Sequence, residues 1–219
     1  MSEQSPRWSE TAWKAVEDVY EAILRQPFVR ELMQGTLPRE KFLFYLGQDA
    51  HYLASYCRSL AHTASRLTDT RHVNAFLKFA SDGIAVEKAL HESFLNGEPL
   101  PPVSPTCAFY TSVETAAAMR AVEVEAAALL PCFWVYQRVG EHILANCRDL
   151  AANPYARWIE TYGDQSFAEA TRLAINICDT VADNSSDEIR EEMTAIFKTC
   201  TRLEWMFWDS AYNLETWKI

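Results

Sequence analysis

The chain has 219 residues, 49% hydrophobic and 23% charged, which is enough for one sizeable core and short for two, so a single domain over 1–219 is expected. Its formal net charge of -10, with no basic cluster set against it, repels a phosphate backbone and excludes nucleic acid as a direct partner. The opening MSEQSPRWSE lacks the apolar centre of a signal peptide, no later run approaches a membrane span, and six cysteines (Cys57, Cys107, Cys132, Cys147, Cys178, Cys200) follow no CxxC or zinc-like spacing, so a cytoplasmic chain with free thiols and no membrane partner is expected.

Only six glycines, long three-to-four periodicity and no alternating runs predict an all-α fold. The first helix is predicted over 9–25 and the second over 38–67. Within the second, Phe42, Tyr45, Leu46, Leu53, Tyr56 and Leu60 form the apolar face, Asp49 falls near its centre and Tyr52 on its edge. A helix over 71–95 follows, and then NGEPLPPVSPT, 96–106, which is too proline-rich for helix and reads as a long surface loop within the domain.

The next helix is predicted over 106–144 with a break at Pro131, where ALLPCFWVY sets a proline beside a cysteine inside an apolar run. Proline inside a helix removes a donor and costs about 3 kcal/mol, so Pro131 is expected to kink the helix or start a second one. Counted from there, Cys132, Val135, Tyr136, Val139 and Ile143 share one face. On this stretch alone Cys132 reads as a small buried hydrophobe, as most free cysteines do. Helices over 154–162, 166–181 and 185–212 complete the chain, the last opened by SSDE, 185–188, as a capping box. The stripe Ile189, Met193, Ile196, Cys200, Leu203, Phe207 and Ala211 has Glu204 inside it.

Two acids on inward faces need a reason, because burying an ion costs several kcal/mol unless it is paired. One reading is an internal salt bridge, although neither inward face offers an obvious base. The other is a cavity in which Asp49 and Glu204 meet a donor-rich ligand among aromatic rings. Periodicity leaves the two readings comparable.

QPFVRELMQGTLPREKFLFYLGQDAHYL, AALLPCFWVY, NPYARWIETYGDQSF and RLEWMFWDSAY, in this order over nearly the whole chain, resemble the successive signatures of the TenA family, thiaminase II or aminopyrimidine aminohydrolase. The resemblance implies a helical bundle similar to haem oxygenase, commonly a homotetramer, that hydrolyses 4-amino-5-aminomethyl-2-methylpyrimidine or thiamin in thiamin salvage. It makes the LPC cysteine, Cys132, the nucleophile and Glu204, three residues before Phe207, the proton-transfer acid. It sets the pyrimidine against Asp49 of the QD pair and Tyr110 of the YTS triplet, with Tyr52, Tyr136, Tyr162 and Phe207 as aromatic walls. The LPC thiol resembles that of the cysteine-bearing branch. His51, and the missing glycine ahead of LPC in AMRAVEVEAAALL, depart from the usual pattern and bear on packing.

The implied reaction adds a thiolate to the unsubstituted ring carbon, expels ammonia or thiazole from the neighbouring methylene, and adds water there. A free thiol is only a few per cent ionised at neutral pH, so an activating environment is expected, with Pro131 bending Cys132 into the cavity. Neither haem, a metal nor another cofactor is expected: the first of five histidines is His51, too late for an axial ligand on an early helix, and Glu87 with His91 has the wrong spacing for a di-iron unit. The alternative function is a non-catalytic pyrimidine-binding or transcription-enhancing protein, the role behind an older family name.

Overall fold

A computed structural model describes residues 6–94 and 100–219, with the backbone alone at 86, 87 and 90–94. Among the described residues there are ten α-helices and no strand, in the order α1 Trp8–Lys14, α2 Glu17–Arg25, α3 Pro27–Gln34, α4 Arg39–Arg66, α5 Thr70–Phe94, α6 Pro105–Ala117, α7 Val122–Asn146, α8 Ala156–Gly163, α9 Gln165–Asp183 and α10 Asp187–Tyr212.

The stretch predicted as one helix over 9–25 is two, because Val16 leaves helical geometry at φ -127°, ψ 5° and starts α2 in a new direction. Helix α3 was not predicted. It has Pro27 in its first turn and Gly35 at φ 72° just past its end, the arrangement that suits a missing N–H at the start and a left-handed residue at the stop. The predicted end at Leu95 and the loop residues 96–99 lie outside the described residues, as do the side chains of Glu87 and His91. The remainder of that loop ends sooner than expected: Ser104 accepts a bond from the Cys107 amide at 3.2 Å and caps α6 with Pro105 behind it.

The break expected at Pro131 lies instead at 118–121, and α7 runs through Pro131 without interruption. Arg66, at the end of α4, explains the turn: its guanidinium donates to the carbonyls of Ala118 (3.0 Å) and Arg120 and to the carboxylate of Glu125 on α7. The Glu125 carboxylate is wholly buried and also meets the His62 ring at 2.7 Å. Proline survives in α7 because packing outweighs propensity: every residue from Val124 to Pro131 is buried, as are Phe133 to Tyr136, so this helix is apolar on all sides. It packs against α3, α4, α6, α8, α9 and α10, while α10 touches α1, α2, α3, α4 and α6 as well.

At the last helix the cap is one residue later than expected. Ser186 accepts from the Ile189 amide at 3.3 Å, and the Ser185 hydroxyl donates to the Val181 carbonyl at 2.7 Å, so SSDE is not a capping box. Gly140 on α7 permits the closest helix approach: a Cβ there would stand 2.4 Å from the carbonyl oxygen of Tyr162 on α8.

Candidate active site

The apolar stripes turn a thiol, three carboxyls and a set of aromatic rings toward one another. Helix α4 carries Asp49, Tyr52 and Tyr56, α6 carries Tyr110 and Glu114, α7 carries Cys132 and Tyr136, α8 carries Tyr162, and α10 carries Glu204 and Phe207. All are buried except Cys132, which is half-buried and packed against the core.

Two tyrosine–glutamate pairs stand side by side. The Tyr110 hydroxyl donates to Glu204 Oε1 at 2.8 Å, the Tyr52 hydroxyl donates to Glu114 Oε1 at 2.8 Å, and the two phenol rings are 4.8 Å apart. Tyr52 stacks on Tyr56 with centroids 5.4 Å apart, and the Tyr56 hydroxyl donates to the Leu129 carbonyl at 2.8 Å, one turn before Cys132. This stack therefore lies over the turn that carries the thiol, within reach of both hydroxyls. The opposite wall is hydrogen-bonded too: Trp158 donates to the Tyr45 hydroxyl, which donates to the Tyr136 hydroxyl, both at 3.3 Å. Tyr136 lies 5.0 Å from Tyr162 and 4.9 Å from Trp208, and Phe207 lies 5.8 Å from Tyr52.

The electrostatics are one-sided. Burial raises the Glu204 carboxyl to about 8, against the Tyr110 bond and with the help of Asp49. Burial likewise holds Glu114 well above the carboxylate range, opposed by the Tyr52 bond and reinforced by Glu204. The Cys132 thiol is pushed well up by burial and by Glu204 and Glu114, with only the Tyr52 bond working the other way. The charges that bear most on the thiol and on Glu204 are all acidic. Burial and these acids thus favour the protonated form of the Cys132 thiol. A cation is what would lower every one of these groups together.

The salt-bridge reading of Glu204 fails on geometry, because its partner is the Tyr110 hydroxyl. The buried ion pair of this fold belongs to Glu125, which sequence reasoning did not single out. Cys132, Glu204, Asp49, Tyr52, Tyr110, Tyr136, Tyr162 and Phe207 share this one region, Asp49 acting electrostatically on Tyr45, Tyr162 and Glu204. Cys57, Cys107, Cys178 and Cys200 are buried, and Cys107 is pushed up to about 12 by burial first and then by the neighbouring acids. His51 accounts for its own departure from the pattern: its Nε2 meets the Pro101 carbonyl at 2.8 Å and ties the loop before α6 to α4. Among the described residues no three His, Cys, Asp or Glu side chains are grouped to hold a metal ion.

Sequence reasoning missed Tyr45, Tyr56, Trp158 and Glu114 as members of the site. The first two were on the inward stripe of α4 but read as core. Glu114 had the stronger signal: it is four residues after Tyr110, so the stripe test that found Glu204 places it on the same face of α6 as Cys107 and Tyr110.

An all-helical chain that gathers a thiol, carboxyls and hydrogen-bonded aromatic rings in its interior has the side-chain composition of a small-molecule site. It belongs to the TENA/THI-4/PQQC family, whose model matches residues 13–214. It is 32% identical to the aminopyrimidine aminohydrolase of Bacillus subtilis over 96% of this chain and 92% of that protein. Among solved structures it superposes on a TenA homologue from P. horikoshii with a TM-score of 0.83 at 27% identity, over 95% of this chain and 99% of the other. A domain of unknown function with a heme oxygenase-like fold from Shewanella denitrificans superposes with a TM-score of 0.67 at 12% identity, covering 96% and 94%. That likeness identifies the fold as haem oxygenase-like, as the sequence resemblance implied.

Proposed function

We propose that this protein is an aminopyrimidine aminohydrolase of the thiaminase II type, acting in thiamin salvage by cysteine nucleophilic catalysis. The hydrolase reading is supported by the extent of the match to a curated aminopyrimidine aminohydrolase. The single observation that carries the assignment to this site is the buried Tyr110–Glu204 pair, with its carboxyl near neutrality, in the same chamber as the one half-buried thiol of the region. We also read the chain as one domain that works in the cytoplasm, without a cofactor, as a homotetramer.

In this reading a cationic aminopyrimidine enters among Tyr52, Tyr136, Tyr162 and Phe207, and its positive charge lowers the thiol and the surrounding carboxyls. Asp49 accepts from the exocyclic 4-amino group. Glu204, ionised by the bound cation, takes the Cys132 thiol proton and passes it to the adjacent ring nitrogen as the sulfur forms a bond to the unsubstituted ring carbon. The lone pair of the 4-amino nitrogen then drives out the leaving group and creates an exocyclic double bond. Water adds to that methylene, its released proton making good the one carried off with ammonia, the carbon–sulfur bond breaks, and the ring nitrogen's proton returns through Glu204 to the sulfur as the ring becomes aromatic again.

The test is ammonia release from 4-amino-5-aminomethyl-2-methylpyrimidine beside thiazole release from thiamin, in the wild type and in Cys132→Ser. The variant should fold normally and lose turnover by orders of magnitude on both substrates, while the same change at Cys57, Cys107, Cys147, Cys178 or Cys200 is tolerated. Wild-type rates in Cys132→Ser would remove covalent catalysis. The regulatory alternative has less support, because a net charge of -10 opposes direct DNA contact and a buried thiol has no use in it.

A further inference from the structure

Of the three carboxyls that bear on the thiol, Glu114 has no part in the reaction scheme above, yet its geometry makes it the least comfortable. It is fully buried, its Oε1 is engaged by Tyr52 at 2.8 Å, and its Oε2 is buried with no hydrogen-bond partner among the described residues. Such an atom gives up the hydrogen bonds it makes in water, and a bound ligand with a donor would restore one. The Tyr52 ring that holds it lies 4.8 Å from the Tyr110 ring that holds Glu204, so the two tyrosine–carboxyl pairs stand side by side in one buried cluster.

The substrate has two points that exchange protons, and they flank the carbon that sulfur attacks. On one side is the ring nitrogen. On the other is the nitrogen leaving from the methylene of the neighbouring carbon. A single carboxyl held in one orientation by a tyrosine cannot serve both. We propose that Glu114 is a second catalytic acid, held by Tyr52, whose free Oε2 secures the proton on the departing amine while Glu204 serves the ring nitrogen. Burial and the neighbouring Glu204 raise the Glu114 carboxyl well above the carboxylate range, which fits this role.

The step balances as follows. The amine and the Glu114 carboxyl share one proton, and desolvation among aromatic rings would strip it from an unaccompanied ammonium. When the carbon–nitrogen bond breaks, its electron pair and that proton leave as ammonia, and Glu114 is left ionised. The water that adds to the methylene gives up a proton to Glu114 and restores the acid. Thiamin makes no such demand at cleavage, because its thiazolium leaves as neutral thiazole without a proton. Glu114 would therefore set the preference for amine over thiazolium leaving groups.

This inference rests on the reading of Cys132 as nucleophile, and the test separates the two. First-turnover release of ammonia from the aminomethylpyrimidine and of thiazole from thiamin is followed with enzyme in excess, in wild type, Glu114→Gln and Glu114→Asp. Gln still accepts from Tyr52 but cannot supply a proton, so ammonia release should fall by about 10²-fold or more while thiazole release stays within about threefold. Asp keeps an acid one methylene short and should recover part of the ammonia rate, which also covers the case of a poorly folded Gln variant. Equal losses on both substrates, or no loss on either, would overturn the role of Glu114. Release of both products by Cys132→Ser would instead overturn the nucleophile and leave the leaving-group comparison to be read by itself.

Discussion

Glu204 holds its proton to about pH 8 because burial penalises the charged form more than the Tyr110 bond favours it. An unfolded glutamate releases that proton near its ordinary value of 4.5. Between those two values the folded state binds more protons than the unfolded one, so stability contributed by this group is complete below pH 4.5 and is lost as pH rises toward 8. Glu204→Gln removes the dependence. Its stability should match the wild type near pH 4 and exceed it progressively above pH 5, by on the order of 4 kcal/mol at pH 8, with the thermal midpoint rising in step, while turnover falls about 10²-fold or more. A variant that is less stable than wild type across that whole range would mean that the carboxylate is a structural ion after all. A site that destabilises its own fold at working pH is one whose acid is retained for chemistry.

Among the helices, α4 and α10 could be read directly from the chain because each buries one stripe and leaves the rest in water, so a misplaced acid on the stripe stands out. Helix α7 could not, for the opposite reason: with every residue from Val124 to Pro131 buried there is no polar face to fix its phase, and Pro131 was given more weight than the packing around it. The real interruption at 118–121 depends on Arg66, some fifty residues earlier, and no local pattern contains that fact. Short α3 had its punctuation in plain view, Pro27 and Gly35, but seven residues of helix between them read as connector. Glu204 and Asp49 stood out on their stripes and took their roles, like Cys132, from resemblance, whereas Glu114 was open to the same stripe test and passed over. Arg66 supplies an element-level expectation. Arg66→Ala unpins the α6–α7 turn and leaves the buried Glu125 with His62 alone, so it should cost about 3 kcal/mol or more, a fall in thermal midpoint of roughly 6–12 °C for a chain of this size. A midpoint within about 2 °C of wild type would show that the turn is held by other contacts.

Across the molecule the acid surplus is both outside and inside, and the inner part has a measurable consequence. Cation binding should ionise Glu204 at neutral pH, so the protein should release protons as it takes up ligand, with affinity rising as pH approaches 8. Thiamin, a fixed cation, bound to the Cys132→Ser protein in buffers of different ionisation enthalpy gives the count by calorimetry. An apparent binding enthalpy that does not change with buffer would contradict a Glu204 that carries its proton before ligand binds.

The contact of Gly140 with Tyr162 has a further effect on how the chamber would look to a geneticist. With 2.4 Å between an added Cβ and that carbonyl, any side chain at 140 must push α8 outward, and Tyr162 and Trp158 travel with it. The spacing of α7 and α8 is set by the single hydrogen atom that Gly140 has in place of a side chain. Position 140 would therefore score in a saturation screen for activity beside Tyr136 and Tyr162, and alanine, the mildest of replacements elsewhere on a helix, would be among the severe ones.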